Sequence, residues 1–92
     1  MSIDQDRGTG RTTKQLKEAP QGAVFLVRSY SMAQYTRRLA LYLKRNDISV
    51  QPLQWLHSDS WLGRKHYVIV DHDVVPDEKE QHYLRIIRER PP

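Results

Sequence analysis

Two short stretches of the sequence carry residue types that could hold a phosphate and a magnesium ion. The first lies near the N-terminus and consists of Gly8, Gly10, Arg11, Thr12 and Thr13. Glycine amides can surround a phosphate, a basic side chain can neutralise it, and a hydroxyl can ligate Mg²⁺. The second stretch is the apolar run "VIV", which ends at Asp71, a residue type that helps to hold Mg²⁺ in phosphate-transferring enzymes. Together they form a candidate nucleotide-binding site.

The sequence predicts helices that would position these residues. Thr12 to about Ala19 predicts two helical turns, which Pro20 ends. A longer helix is predicted from Met32 to Arg45, with Ser29 or Ser31 as its N-cap. Its apolar stripe, which we expect to face the core, consists of Met32, Tyr35, Leu39, Tyr42 and Leu43.

A third helix is predicted after Pro76, where Asp77 and Glu80 have the spacing of a capping box. Its expected buried stripe consists of Tyr83, Leu84 and Ile87.

Strand patterns alternate with these helices. Ala23–Val27 and Tyr67–Val70 are short apolar runs typical of buried strands. Ile48–Leu53 is a weaker candidate, and Pro52 favours an edge position for it because proline cannot donate to a neighbouring strand. The alternation predicts an α/β fold with a small, mostly parallel, three-stranded sheet and two or three helices.

From Gly8 to Val75, the order of these motifs resembles the first half of a helicase-type P-loop domain. The glycine run stands where the Walker A loop would be, and the strand ending at Asp71 stands where Walker B would be. The "GRTT", "QGAV" and "VDH" segments are similar to those of small phage-encoded P-loop-like proteins. The resemblance implies one truncated P-loop-like domain over residues 1–92, with residues 1–7 as a loose arm.

The departures from the P-loop pattern argue against ATP hydrolysis. Gln5 stands where the leading glycine of the loop belongs, and Arg11 replaces its lysine. His72 occupies the place of the carboxylate that usually activates water, and no strand pattern precedes the loop. We therefore expect no catalytic residue, no metal site and no resident cofactor, with Mg-nucleotide binding as the alternative. A metal site at Asp71, His72, Asp73 and His66 is less favoured than a polar strand end that meets solvent.

Other residues suggest contact with a macromolecule. Trp55 and Trp61 are expected either to pack over the sheet or to contact a partner, because a partly exposed Trp beside an Arg is a typical contact residue. A basic helix face would act through association rate and salt dependence. The residues assigned to partner binding are Trp55, Trp61, Arg64, Arg37 and Arg38. The leading hypothesis is a non-catalytic phage accessory protein that binds and modulates, for example as an inhibitor, a host complex of transcription, replication or defence. The alternatives are nucleotide binding with weak or no hydrolysis, and nucleic-acid binding, which would require the basic residues and stacking aromatics to share one side.

Composition agrees with a small intracellular domain. The 92 residues include no cysteine, which excludes disulfides and favours a reducing cytoplasm, that of the host if a phage encodes the protein. The net charge of +4 permits an acidic partner or nucleic acid without requiring either. No apolar run has the length of a membrane span, so no membrane partner is expected.

Overall fold

The core of the fold is a three-stranded, all-parallel sheet. The computed structural model describes residues 10–58, 61–62 and 66–89. Strands β1 (Val24–Val27), β2 (Ser49–Pro52) and β3 (Val68–Val70) pair in the order β2-β1-β3. The predicted parallel pairing of the two apolar strands and the edge position of the Pro52 strand are both confirmed. The expected loose arm at residues 1–7 lies outside the described residues.

Within the described residues, three helices and one 3-10 helix cover the two faces of this sheet. They are α1 (Arg11–Glu18), α2 (Tyr30–Tyr42), the 3-10 helix (Leu53–His57) and α3 (Glu78–Glu89). One core cluster joins α1 and α2 to Phe25 and Val27, and a second joins the 3-10 helix and α3 to Val24 and Leu26. Because successive strand residues point to opposite faces, α1 and α2 share one side of the sheet and α3 lies on the other.

The predicted helix caps are present. The Ser29 hydroxyl accepts a hydrogen bond from the Met32 amide at 3.3 Å at the start of α2. At α3, the Glu80 amide donates to the Asp77 carboxylate at 2.8 Å, and the Asp77 amide donates to the Glu80 carboxylate at 2.9 Å. This reciprocal pair confirms the capping box.

The predicted stripe of α2 is confirmed in part, because Met32, Leu39 and Leu43 are partly buried and pack against the first core cluster. Ala33, Thr36 and Ala40 are the buried residues, whereas Tyr35 and Tyr42 are exposed. Small side chains at the centre of the contact let the helix lie close to the sheet, a position that tyrosine is too large to occupy. The helix also ends at Tyr42 and not at Arg45, because Lys44 adopts a left-handed conformation with φ of 61°.

Side chains cap outward-facing carbonyls on both edges of the sheet. Arg37 donates through Nε and Nη2 to the Val50 carbonyl of β2 at 3.1 and 2.9 Å. On β3, Gln15 donates to the Val70 carbonyl at 3.0 Å and Arg88 donates to the Val68 carbonyl at 3.3 Å. Capped carbonyls make edge strands poor templates for pairing with another chain.

Arg45 and Asp47 connect the end of α2 to the end of α1. The Arg45 guanidinium donates to the carbonyls of Leu16 and Ala19 at 2.8 and 2.9 Å, and it pairs with Asp47 at 3.0 Å. Hydrogen bonds from Arg45 and from the Gly22 amide hold the pKa of Asp47 well below its usual range. Within the described residues, no helix is long and apolar enough to cross a membrane.

Candidate functional site

The fold joins the N-terminal end of α1 to the carboxyl end of β3. The Thr12 hydroxyl donates to Asp71 Oδ1 at 2.9 Å, although the two residues are 59 positions apart in the chain. Thr12 lies in the first turn of α1, and Asp71 directly follows the last residue of β3. In open parallel sheets, ligands commonly bind outside the carboxyl ends of the strands. The two predicted stretches therefore meet at a favourable place for a ligand.

Gln15 secures this junction, and the sequence analysis did not identify it. Its amide nitrogen donates to the Val70 carbonyl at 3.0 Å, and its amide oxygen accepts from the His72 amide at 3.0 Å. The available signal was its position three residues after Thr12, which places both side chains on the same side of α1. Gln15 thus aligns α1 with the end of β3.

The two oxygens of Asp71 have different surroundings. Oδ1 accepts hydrogen bonds from the Thr12 hydroxyl and the His72 amide, and it lies 3.1 Å from His72 Nδ1. Oδ2 is buried and has no hydrogen-bond partner among the described residues, while Asp71 as a whole is 1% exposed. A buried carboxylate oxygen without a partner is costly. A cation or a hydrogen-bond donor at Oδ2 would therefore stabilise the protein.

The N-terminal end of α1 presents backbone amides that no described side chain caps. Gly10 is left-handed with φ of 85°, and the first intrahelical bond runs from the Lys14 amide to the Gly10 carbonyl at 2.8 Å. The amides of Arg11, Thr12 and Thr13 therefore precede the hydrogen-bonded turns, and this first turn contains no acidic residue. Free amides and the helix dipole favour an anion here.

Two further candidate nucleotide-binding residues, Arg11 and Thr13, lie in the first turn of α1. Arg11 is exposed and Thr13 is half-buried. Gly8 lies outside the described residues.

Two polar residues, His72 and Asp73, follow Asp71 at the end of β3. The imidazole of His72 is directed to Asp71 Oδ1 through Nδ1. Asp73 is exposed in a turn, because β3 ends at Val70. In the part of the chain that the structure describes, no three His, Asp or Glu side chains converge to hold a metal ion.

Trp61 is part of the second core cluster. Its side chain is 4% exposed, its indole N–H donates to the Leu56 carbonyl at 2.8 Å, and its ring centroid lies 5.7 Å from that of Tyr83. Packing over the sheet is therefore confirmed for Trp61, because the indole fills the space between the 3-10 helix and α3.

Trp55 is half-buried and contacts His66 edge-to-face, with ring centroids 5.4 Å apart. It keeps some surface for a partner. Arg64 lies outside the described residues.

The two candidate arginines of α2 have different environments. Both Nε and Nη2 of Arg37 bond to the Val50 carbonyl, so this guanidinium holds α2 to the edge of the sheet. Arg38 is exposed and makes no hydrogen bond or ion pair with the described residues. Arg38 is thus the better placed of the two to contact a partner.

Three large side chains of the same helix are also exposed, including Tyr42, which was expected in the buried stripe. Tyr42 is 83% exposed, Leu41 63% and Tyr30 60%. If Ala33, Thr36 and Ala40 are known to be buried, helix periodicity places these residues on the outer face of α2. The sequence alone does not show that these three residues are the buried ones, because their burial depends on contact with the sheet.

Comparisons of the chain with protein-family models, with curated proteins and with solved structures found no match.

Proposed function

We propose that this protein binds the polyphosphate of a Mg-nucleotide at the junction of α1 and β3 without efficient hydrolysis. The observation that carries the proposal is the Thr12–Asp71 hydrogen bond beside the uncapped end of α1. It brings together a hydroxyl, a carboxylate and free amides, the three kinds of group that bind a magnesium-bound phosphate.

The residues present fit Mg²⁺ chemically. Mg²⁺ prefers oxygen ligands and is commonly bound by one or two protein groups together with phosphates and water. Thr12 would supply a hydroxyl and Asp71 a carboxylate, whose Oδ2 has no other partner among the described residues. The bound ion would supply the positive charge that this buried carboxylate lacks, and it would bridge the protein to the phosphates.

The phosphates themselves would lie at the N-terminal end of α1. The amides of Arg11, Thr12 and Thr13 have no hydrogen-bond partner among the described residues, and the exposed Arg11 side chain adds a positive charge. Gly10 permits the left-handed turn that opens this end of the helix, since its φ of 85° disfavours residues with a side chain.

The proposal of binding without efficient hydrolysis rests on residue types. In many P-loop enzymes a carboxylate or an amide side chain next to the magnesium-binding Asp orients the attacking water. Here His72 follows Asp71 in the sequence, and Asp73 lies in an exposed turn. Binding without turnover would suit a protein whose nucleotide acts as a structural or regulatory ligand.

The hypothesis that led the sequence analysis, binding and modulation of a host protein by a phage accessory protein, has less structural support. Of the five residues named for it, Trp61 is buried, Arg37 bonds to Val50, and Arg64 is outside the described residues. Half-buried Trp55 and exposed Arg38 remain available. We keep this function as the second proposal, to be tested with Trp55→Ala.

Thermal unfolding with and without Mg-ATP tests the nucleotide proposal. A ligand that binds the native state at ten times its Kd adds about 1.4 kcal/mol. For a domain of this size, that corresponds to a rise in Tm of roughly 6–11 °C. We expect this rise with Mg-ATP and a much smaller one with ATP and EDTA, because the metal joins the phosphates to Asp71.

Matched variants separate the site from general nucleotide effects. Thr12→Ser retains the hydroxyl and should keep the rise, whereas Thr12→Val and Asp71→Asn should remove it. An absent rise at millimolar Mg-ATP, or an equal rise in all four proteins, would refute the proposal.

A further inference from the structure

Charge is distributed unequally between the two sides of the sheet. The part of the chain from 10 to 47, which forms β1, α1 and α2, has eight Lys and Arg and two Asp and Glu. The part from 66 to 89, which forms β3 and α3, has three Lys and Arg and six Asp and Glu. Among the described residues, the α1/α2 layer therefore carries the net positive charge.

The positive charge of this layer is accessible and has few acidic neighbours. Between Glu18 and Asp47 the sequence has no acidic residue, and Asp47 is itself paired with Arg45. The exposed basic residues of the layer are Arg11, Lys14, Lys17, Arg28, Arg38 and Lys44. They extend over both helices and the loops beside them, so they form an extended cationic surface.

An aromatic stripe lies on the outer face of α2 within this surface. Tyr35, Arg38 and Tyr42 are spaced i, i+3 and i+7, which places them on one side of the helix. Arg38 lies about 200° around the helix from buried Thr36, opposite the sheet. Tyr35 and Tyr42 are about 10 Å apart along the helix axis. Their exposed fractions are 36% and 83%.

We propose that the outer surface of the α1/α2 layer binds single-stranded nucleic acid. The proposal combines two features of nucleic-acid surfaces, which are cations that neutralise phosphates and aromatic rings on which unpaired bases stack. Tyr42, with Tyr35, provides the stacking rings, Arg38 lies between them, and the surrounding Lys and Arg contact the phosphates. Tyr35, Arg38 and Tyr42 lie on α2 and take no part in the Thr12–Asp71 junction, whereas Arg11 belongs to both this surface and the proposed phosphate site.

The distribution of the cations favours nucleic acid over an acidic protein segment. An acidic helix from a partner protein would match cations arranged along one helix face of this protein. The exposed cations here extend over two helices and their flanking loops. A polymer with one charge per unit can contact all of them. Stacking on tyrosine also requires bases that are not paired, so the preferred ligand is a single strand.

Fluorescence anisotropy with a fluorescein-labelled thymidine oligonucleotide of about 15 nucleotides, a length within the usual range of such sites, tests the proposal. We expect saturable binding at low salt, with affinity that falls linearly in a log–log plot against salt concentration. Binding to the same length of duplex should be at least fivefold weaker, because its bases cannot stack on the tyrosines.

Two matched pairs of variants test the residues. Arg38→Glu should lower affinity at least tenfold and reduce the salt slope, whereas Arg85→Glu, an identical charge change on exposed α3, should change it less than twofold. Tyr42→Ala should lower affinity at least fivefold, the loss of about one stacked base, whereas Tyr42→Phe keeps the ring and should stay within twofold.

The proposal would be overturned by several outcomes. These are absence of oligonucleotide binding at low salt, equal losses for the α2 and α3 charge variants, or equal affinity for single strand and duplex with an unaffected Tyr42→Ala. Binding of poly-L-glutamate that Arg38→Glu abolishes, without oligonucleotide binding, would assign the surface to an acidic protein and also overturn it.

Discussion

Replacing Trp61 tests whether its loop belongs to the core or is a free contact surface. In Trp61→Ala, the buried indole is lost and the Leu56 carbonyl loses its hydrogen bond. Substitution of a buried Trp by Ala typically costs 3–5 kcal/mol. Because small domains have about 5–15 kcal/mol of stability, this loss is a large fraction of the total. We expect Tm to fall by at least about 12 °C.

Urea unfolding followed by circular dichroism provides the measurement, with two control variants. Trp61→Phe keeps an aromatic ring near Tyr83 but removes the indole N–H, so it should cost about 1–2 kcal/mol. Trp55→Ala removes a half-buried ring and should cost about 1 kcal/mol. The expected order of stability is therefore wild type, then Trp55→Ala or Trp61→Phe, and last Trp61→Ala.

A Trp61→Ala protein with the unfolding midpoint of the wild type would refute this reasoning. It would mean that the indole contributes nothing to the second core cluster and that the loop can be rearranged at no cost. The original expectation of Trp61 as a partner-binding residue would then regain its basis.

The other predictions concern the buried hydroxyl of Thr36 and the carboxylate of Asp47, which is paired with Arg45. Thr36→Val should raise the free energy of unfolding by about 1 kcal/mol, because the buried Thr36 hydroxyl has no partner among the described residues. Thr36→Ser keeps the hydroxyl and should lower the free energy of unfolding. Urea unfolding provides the measurement, and a valine variant less stable than the wild type would contradict the prediction. Asp47 has a lowered pKa in the folded state, so the stability it provides is present above its unfolded pKa of about 4 and is lost as the pH falls below that value. The stability difference between wild type and Asp47→Asn should therefore be largest near neutral pH and shrink in acid, and a difference independent of pH would contradict this cause.

Most of the fold could be predicted from local sequence patterns. The strands follow from short apolar runs, and the N-terminal ends of α2 and α3 follow from Ser29 and from the Asp77–Glu80 pair. Each of these signals acts within a few residues, so its physical effect does not depend on the rest of the chain. The parallel sheet follows from the alternation of strands and helices, because a helix returns the chain to the same end of the sheet.

The outer and inner faces of α2 could not be predicted in the same way. Tyr35 and Tyr42 fit a helical apolar stripe as well as Ala33 and Ala40 do, and hydrophobicity favours neither set decisively. The short distance between α2 and the sheet selects the small residues. This distance is a property of the packed layers, and it leaves the tyrosines on the surface.

The sequence alone therefore determined the kinds of residue available for phosphate chemistry, the positions of the strands and helix caps, and the parallel α/β class. Only the tertiary structure brought Thr12 to Asp71, placed Gln15 between α1 and β3, buried Trp61 and gathered the cations on one layer. The physical reason is the distance along the chain over which each interaction acts. Backbone propensity and capping act between near neighbours, whereas contacts between residues some 59 positions apart depend on how whole layers pack.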